Sequence, residues 1–222
     1  MTAPLLKVEG LRKQYHGAWP SRELTFSLEA DFEVDAPGVV GVMGANGSGK
    51  TTLFELITGS NVPSAGRVYV AGQDIHRVRY AERTSLATHY HQSYQVRSVR
   101  RRRPNVLLQH AITASPQVYL FDEPQFNTQD GYIGFMLDFF RALRARGRLV
   151  FVCLHPNEPV HLAILQEICE RYMFVHKDEQ RRSTLTHAAS LPALLHDPRV
   201  RQYLGGLCAH VAMPAGAPDQ SR

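Results

Sequence analysis

The chain has 222 residues and a mass of 25.0 kDa, room for one substantial domain. Hydrophobic residues make up 44% and charged residues 20%, which excludes a disordered or collagen-like chain. The net charge of +5 comes from 21 Arg and only 4 Lys; it fits phosphate-bearing partners or an anionic surface, and equally plain solubility.

No apolar run approaches the roughly 20 residues of a membrane helix, and residues 1–13 hold no block of signal-peptide length, so the chain reads as cytosolic. Cys153, Cys169 and Cys208 are too few and too scattered for a disulfide framework or a zinc site.

In chain order, short strands are predicted at residues 5–9, 25–28 and 32–34, then a turn at Asp35-Ala36-Pro37-Gly38 and a buried strand over 39–43. A glycine loop leads into a helix from Lys50, with Leu53, Phe54 and Ile57 on one face and a stop at Gly59. Another strand covers 66–70, with a turn at Ala71-Gly72-Gln73. The second half alternates: a helix over 105–113, a strand over 118–121, and a helix carrying Tyr132, Phe135, Met136, Phe139, Phe140 and Leu143 at helical spacing. Gly147 suits its C-cap. The uninterrupted apolar run 149–154 is of the kind buried on both faces of a parallel sheet. Pro159 opens a further helix, followed by a strand over 172–175, and residues 212–222 read as a frayed tail. The pattern is that of an α/β fold, a mostly parallel sheet flanked by helices, with a small antiparallel β subdomain on the N-terminal side.

Gly44-Ala45-Asn46-Gly47-Ser48-Gly49-Lys50-Thr51 satisfies the phosphate-loop pattern between a strand and a helix. Its glycines let backbone N–H groups turn inward around a β-phosphate, and the helix N-terminus adds positive potential. Lys50 is expected to reach β- and γ-phosphate oxygens, and the Thr51 hydroxyl to ligate Mg²⁺, with Thr52 beside it. The apolar strand at 118–121 ends in Asp122-Glu123. There Asp122 is expected to bind Mg²⁺ through water, and Glu123 to polarise the attacking water as general base.

These residues resemble the ATPase subunit of ATP-binding cassette (ABC) transporters, and the likeness runs over nearly the whole chain, taken as one nucleotide-binding domain over residues 1–211. Phe121-Asp122-Glu123-Pro124 looks like the family's Walker B strand with its catalytic glutamate. The resemblance implies that His155 is the switch histidine holding the γ-phosphate. It also implies that Gln92 is the Q-loop glutamine, touching metal and attacking water, with Gln95 as its rival. Tyr15 would be the aromatic that stacks on adenine, or a packing residue. Gly66-Arg67-Val68-Tyr69-Val70-Ala71-Gly72-Gln73-Asp74-Ile75 resembles the strand and turn after the loop. The segment from Leu194 to Gly205 looks like the tail of the branched-chain amino-acid import and lipopolysaccharide export branch, and is also a plain amphipathic helix. His89, His91 and His161 form no convincing metal set. ATP and Mg²⁺ are the implied substrate and metal. A second ABC ATPase subunit, the same or different, and a membrane-embedded permease are the implied partners, with the chain peripheral on the inner membrane.

Two departures stand out. Counting back from Asp122 puts the family's LSGGQ signature on Ser98-Val99-Arg100-Arg101-Arg102, with arginine at both glycine positions. Glycine there permits close backbone approach to a γ-phosphate, which a long side chain should hinder. Gln92 lies only six residues before Ser98, so the helical subdomain that grips the permease is almost entirely missing near 93–98. Arg97 and Arg100 to Arg103 keep three readings open: a solvated loop, an arginine finger in trans, or a contact with lipid or nucleic-acid phosphates. Function is correspondingly read as an ATP-hydrolysing subunit of an ABC-type transport system working as a dimer. The alternatives are a degenerate ATP-binding half of a heterodimer, and a non-transport ABC protein acting on nucleic acid.

Overall fold

The computed structural model describes residues 3–91, 115–124 and 132–211. The expected helix over 105–113, Gln92, Gln95, the Ser98 to Arg102 segment with its arginines, the deletion near 93–98 and the tail 212–222 lie outside the described residues.

Ten strands form one sheet among the described residues: β1 Leu6–His16, β2 Leu24–Val34, β3 Gly38–Met43, β4 Ala65–Val70, β5 Gln73–Asp74, β6 Ala87–His91, β7 Val118–Asp122, β8 Leu149–Cys153, β9 Arg171–Lys177 and β10 Arg182–Ala188. Their spatial order is β5-β4-β1-β2-β10-β9-β3-β8-β7-β6. The helices are α1 Lys50–Ile57, α2 Tyr80–Leu86, α3 Tyr132–Ala145, α4 Pro159–Ile168, α5 Leu191–Leu194 and α6 Pro198–Leu204, followed by a 3₁₀ helix Gly205–His210.

Strands β9, β3, β8, β7 and β6 are mutually parallel, and every residue of β3, β7 and β8 is buried. Alternation then decides which layer each side chain serves. Val39, Tyr119, Phe121, Val150 and Val152 face a core built with α3, α4, α5 and α6. Val40, Val42, Leu120, Phe151 and Cys153 face α1 and the antiparallel strands β1, β2 and β4. Leu53, Phe54, Leu56 and Ile57 are all fully buried on α1, so this short helix is apolar around most of its circumference. The antiparallel part joins the parallel part through just two pairs, Arg182 with Ser27 and Ser183 with Leu28.

Three details differ from the sequence expectation. The predicted strands 25–28 and 32–34 are a single strand, because Ala30, Phe32 and Val34 point inward while Glu29, Asp31 and Glu33 point out. Strand β1 does not stop at Glu9: a bulge at Gly10 (φ 52°), whose N–H donates to Asp31 at 2.8 Å, carries the pairing on to His16. The segment 194–205 is not one amphipathic helix, since α5 ends at Leu194 and α6 starts afresh at Pro198. Proline at the first helical position lacks the N–H that continuing the preceding helix would need. Asp197 caps α6, accepting from the Arg199 N–H at 2.9 Å, and its other oxygen accepts from Thr186 of β10 at 2.9 Å.

Candidate functional site

The loop from Gly44 to Gly49 joins the C-terminal end of β3 to α1, at the edge where parallel strands place ligands. Its shape depends on absent side chains. Gly44 (φ 149°) lies against β9 so closely that a Cβ would stand 2.3 Å from the Val175 carbonyl oxygen. At Gly49 (φ 101°) one would stand 2.7 Å from the Phe26 ring. The turn is closed by the Ser48 N–H donating to Ala45 O at 3.1 Å.

Lys50 threads back beneath the loop: its ammonium donates to Gly44 O at 2.7 Å and Ala45 O at 2.9 Å. It is 6% exposed, and no described carboxylate lies within ion-pair range. An ammonium has three donors, so two carbonyls leave one for an anion. Among the described residues, the buried Ser48 hydroxyl also has no hydrogen-bond partner. A buried ammonium with a donor to spare and, among the described residues, an unpaired hydroxyl in one loop fit a phosphate group. Lys177, at the end of β9, comes within 3.6 Å of the Gly47 Cβ position and adds a second cation. Beside it a cavity of about 290 Å³ opens between the loop and α6, lined by Asn46, Ser48, Phe174, Lys177 and Gln202 among others.

The metal candidates are already joined. Thr51 Oγ1 donates to Asp122 Oδ2 at 2.7 Å, and His89 Nε2 lies 3.4 Å from the same oxygen. Burial pushes the Asp122 carboxyl up, but hydrogen bonds from His89, Thr51 and the Cys153 thiol outweigh it and hold the group below its ordinary value, ionised. Burial, with Asp122 alongside, pushes the Cys153 thiol well up, so it stays a neutral donor. A hydroxyl and an ionised carboxylate at this spacing suit a hard, oxygen-seeking cation such as Mg²⁺.

Glu123 follows at once, in a left-handed conformation (φ 50°) with its N–H donating to the Cys153 carbonyl at 3.1 Å. Such a backbone costs a non-glycine residue about 1–3 kcal/mol and turns its side chain away from the strand direction. His155 lies just beyond β8, and its Nδ1 is 2.8 Å from the Tyr203 hydroxyl of α6. Tyr15 is further out on β1: its hydroxyl accepts from Asn61 Nδ2 at 2.7 Å, and the Lys13 ammonium sits 4.9 Å over its ring.

The structure thus brings Gly44, Ala45, Asn46, Gly47, Ser48, Gly49, Lys50, Thr51, Thr52 and Asp122 together, with Glu123 next to Asp122. Gln92 is outside the described residues. Sequence reading found no convincing metal set in His89, His91 and His161, and gave no sign that His89 Nε2 would lie on the Asp122 carboxylate. It gave no role to Lys177, nor to Tyr203, which it noted only within the segment from Leu194 to Gly205; their positions at the ends of β9 and α6 are set by topology.

Fold and site together are those of a phosphate-loop α/β protein. The profile described as ABC transporter matches residues 28–103. The chain is 36% identical over 86 residues to the lipoprotein-releasing system ATP-binding protein LolD of Xylella fastidiosa, covering 39% of this chain and 35% of that one. It is 35% identical over 89 residues to the ribose import ATP-binding protein RbsA 2 of Streptomyces coelicolor, covering 39% and 16%. The chain therefore spans little more than a third of the length of these curated relatives, or less. A nucleotide-free ATP-binding cassette from an ABC transporter superposes with a TM-score of 0.63 at 18% identity, over 92% of this chain and 100% of the other. The sequence likeness to ABC transporter ATP-binding proteins thus covers part of the chain, and the likeness to the solved cassette is one of fold.

Proposed function

We propose that the chain binds ATP with Mg²⁺ and hydrolyses it, as the nucleotide-binding subunit of an ABC-type transport system that works as a dimer. The observation that carries this reading is the buried Lys50 beneath the glycine loop, without a carboxylate partner among the described residues and one helix position from the Thr51–Asp122 pair.

In this reading the loop N–H groups and Lys50 hold the β- and γ-phosphates, and Thr51 and Asp122 hold Mg²⁺, with Gln92 as a further ligand. The metal supplies charge neutralisation on the phosphate oxygens. Tyr15 stacks on the adenine, on the face not occupied by Lys13. Glu123 accepts the proton of a water that attacks the γ-phosphorus in line. The bond to the bridging oxygen breaks, ADP leaves, and His155 donates to the γ-phosphate oxygens throughout. A permease in the membrane and an ABC ATPase subunit, the same or different, are the partners. No helix among the described residues is long and apolar enough to cross a membrane, so spanning would fall to the permease.

Calorimetric titration with ATP and Mg²⁺ tests the binding step. Lys50→Ala should abolish measurable binding while the fold remains, as judged by circular dichroism; undiminished binding would remove the assignment.

A second reading is favoured by the arginines at both glycine positions of the signature segment Ser98-Val99-Arg100-Arg101-Arg102. Here the chain is the ATP-binding half of a heterodimer whose partner supplies a working signature. Turnover that emerges only on mixing with a second ABC ATPase subunit supports that form.

A further inference from the structure

The Tyr203 hydroxyl lies 2.8 Å from His155 Nδ1, with the two rings edge-to-face at a centroid separation of 5.5 Å. Tyr203 belongs to α6, far along the chain from the loop and from β8, beyond which His155 lies. Its placement is firm: Val200 and Leu204 on the same helix are buried, Asp197 caps the helix and ties it to Thr186, and the Phe174 ring of β9 packs on the tyrosine at 5.3 Å.

The direction of this hydrogen bond decides what His155 can do. A neutral imidazole has one N–H, and which nitrogen bears it follows from the partner of the other. Burial holds the Tyr203 hydroxyl well above the ordinary phenol range, so it keeps its proton and has one hydrogen to donate. Among the described residues, the acceptor in reach is His155 Nδ1.

We propose that Tyr203 is a positioning residue for His155: its hydroxyl donates to Nδ1, fixing the ring as the Nε2–H tautomer and aiming that N–H at the phosphate. The opposite tautomer would present a lone pair to an anion. The helix α6 thereby becomes part of the hydrolytic apparatus, joined to the histidine beyond β8. This inference rests on the reading of His155 as the residue that holds the γ-phosphate.

Long-range ¹H–¹⁵N correlation spectra of the full chain labelled at histidine test it without any turnover. The wild type should show His155 with an unprotonated Nδ1 and a protonated Nε2, and Tyr203→Phe should shift it toward a mixture of tautomers. A protonated Nδ1 in the wild type, or a pattern unchanged in Tyr203→Phe, overturns the proposal. In steady-state hydrolysis, Tyr203→Phe should lower kcat by about three- to tenfold, the loss of one hydrogen bond, with KM for ATP unchanged. In a His155→Ala background it should lower kcat no further, because the two residues act as one unit. A further loss in that background, or an effect on KM alone, overturns the positioning role. Absence of turnover in the wild type would instead count against the hydrolytic reading, with the tautomer spectra still deciding the Tyr203–His155 relation.

Discussion

The Thr51 hydroxyl donates to Asp122 Oδ2 at 2.7 Å, linking the second residue of α1 to the last residue of β7 across 71 positions of sequence. The bond preassembles the pair proposed to hold the metal, and the same oxygen is approached by His89 from the neighbouring strand β6. The carboxylate is ionised and almost fully buried, so each donor it loses is felt.

Thr51→Val should therefore destabilise the nucleotide-free chain by about 1–3 kcal/mol, since a buried charged acceptor loses its donor. Thr51→Ser should stay close to wild type. Urea unfolding of the three proteins measures the difference. Equal stabilities would mean that Thr51 and Asp122 are not bonded in solution.

The two glycine substitutions Gly44→Ala and Gly147→Ala should separate sharply, although both sites have positive φ. At Gly147 (φ 74°), just past the end of α3, no described residue lies within 4 Å of the added carbon, so the cost is the conformational term of about 1–2 kcal/mol. At Gly44 the added carbon meets the Val175 carbonyl oxygen at 2.3 Å, and the loop must shift. Thermal melts and nucleotide titrations on both variants check this: Gly147→Ala retains ATP binding and Gly44→Ala loses it.

Much of this was readable in the sequence, and for definite reasons. The phosphate loop is local, so its spacing alone marks Lys50 and Thr51. The runs 118–121 and 149–154 are apolar on both faces, which betrays the parallel core strands. Strand β6 was not predicted, because His89 and His91 break its apolar run; His89 faces the Asp122 carboxylate instead. Helix α2 and strand β10 also went unpredicted: Glu82 and Arg83, and Thr184 with Thr186, leave α2 largely exposed and β10 only partly buried. Tyr203 and Lys177 reach the site only through tertiary packing, and nothing in their immediate sequence distinguishes them from ordinary surface residues. Strand β2 was misread because Glu29 and Asp31 look like a break until the alternation of Ala30, Phe32 and Val34 is set against a buried face.

Acidification should loosen α6 in a predictable sense. The Arg199 side chain first of all, with backbone and Thr186 hydrogen bonds helping, holds the Asp197 carboxyl well below the usual carboxylate range against the opposing effect of burial. A depressed folded pKa means that the stabilisation is present above the unfolded value, about 4, and is lost as pH falls toward the folded one. Asp197→Ala should cost about 1 kcal/mol at pH 7 as a lost helix cap, and the gap to wild type should narrow below about pH 4. Denaturant titrations across pH follow it; a gap independent of pH would show that the carboxylate charge is not what caps α6.

The most direct test of the central claim is steady-state release of phosphate from ATP by the purified chain, alongside Glu123→Gln. The account predicts Mg²⁺-dependent turnover that Glu123→Gln abolishes while ATP remains bound, because the variant keeps the loop, Lys50 and the Thr51–Asp122 pair but lacks the base. Turnover that survives Glu123→Gln unchanged would contradict it.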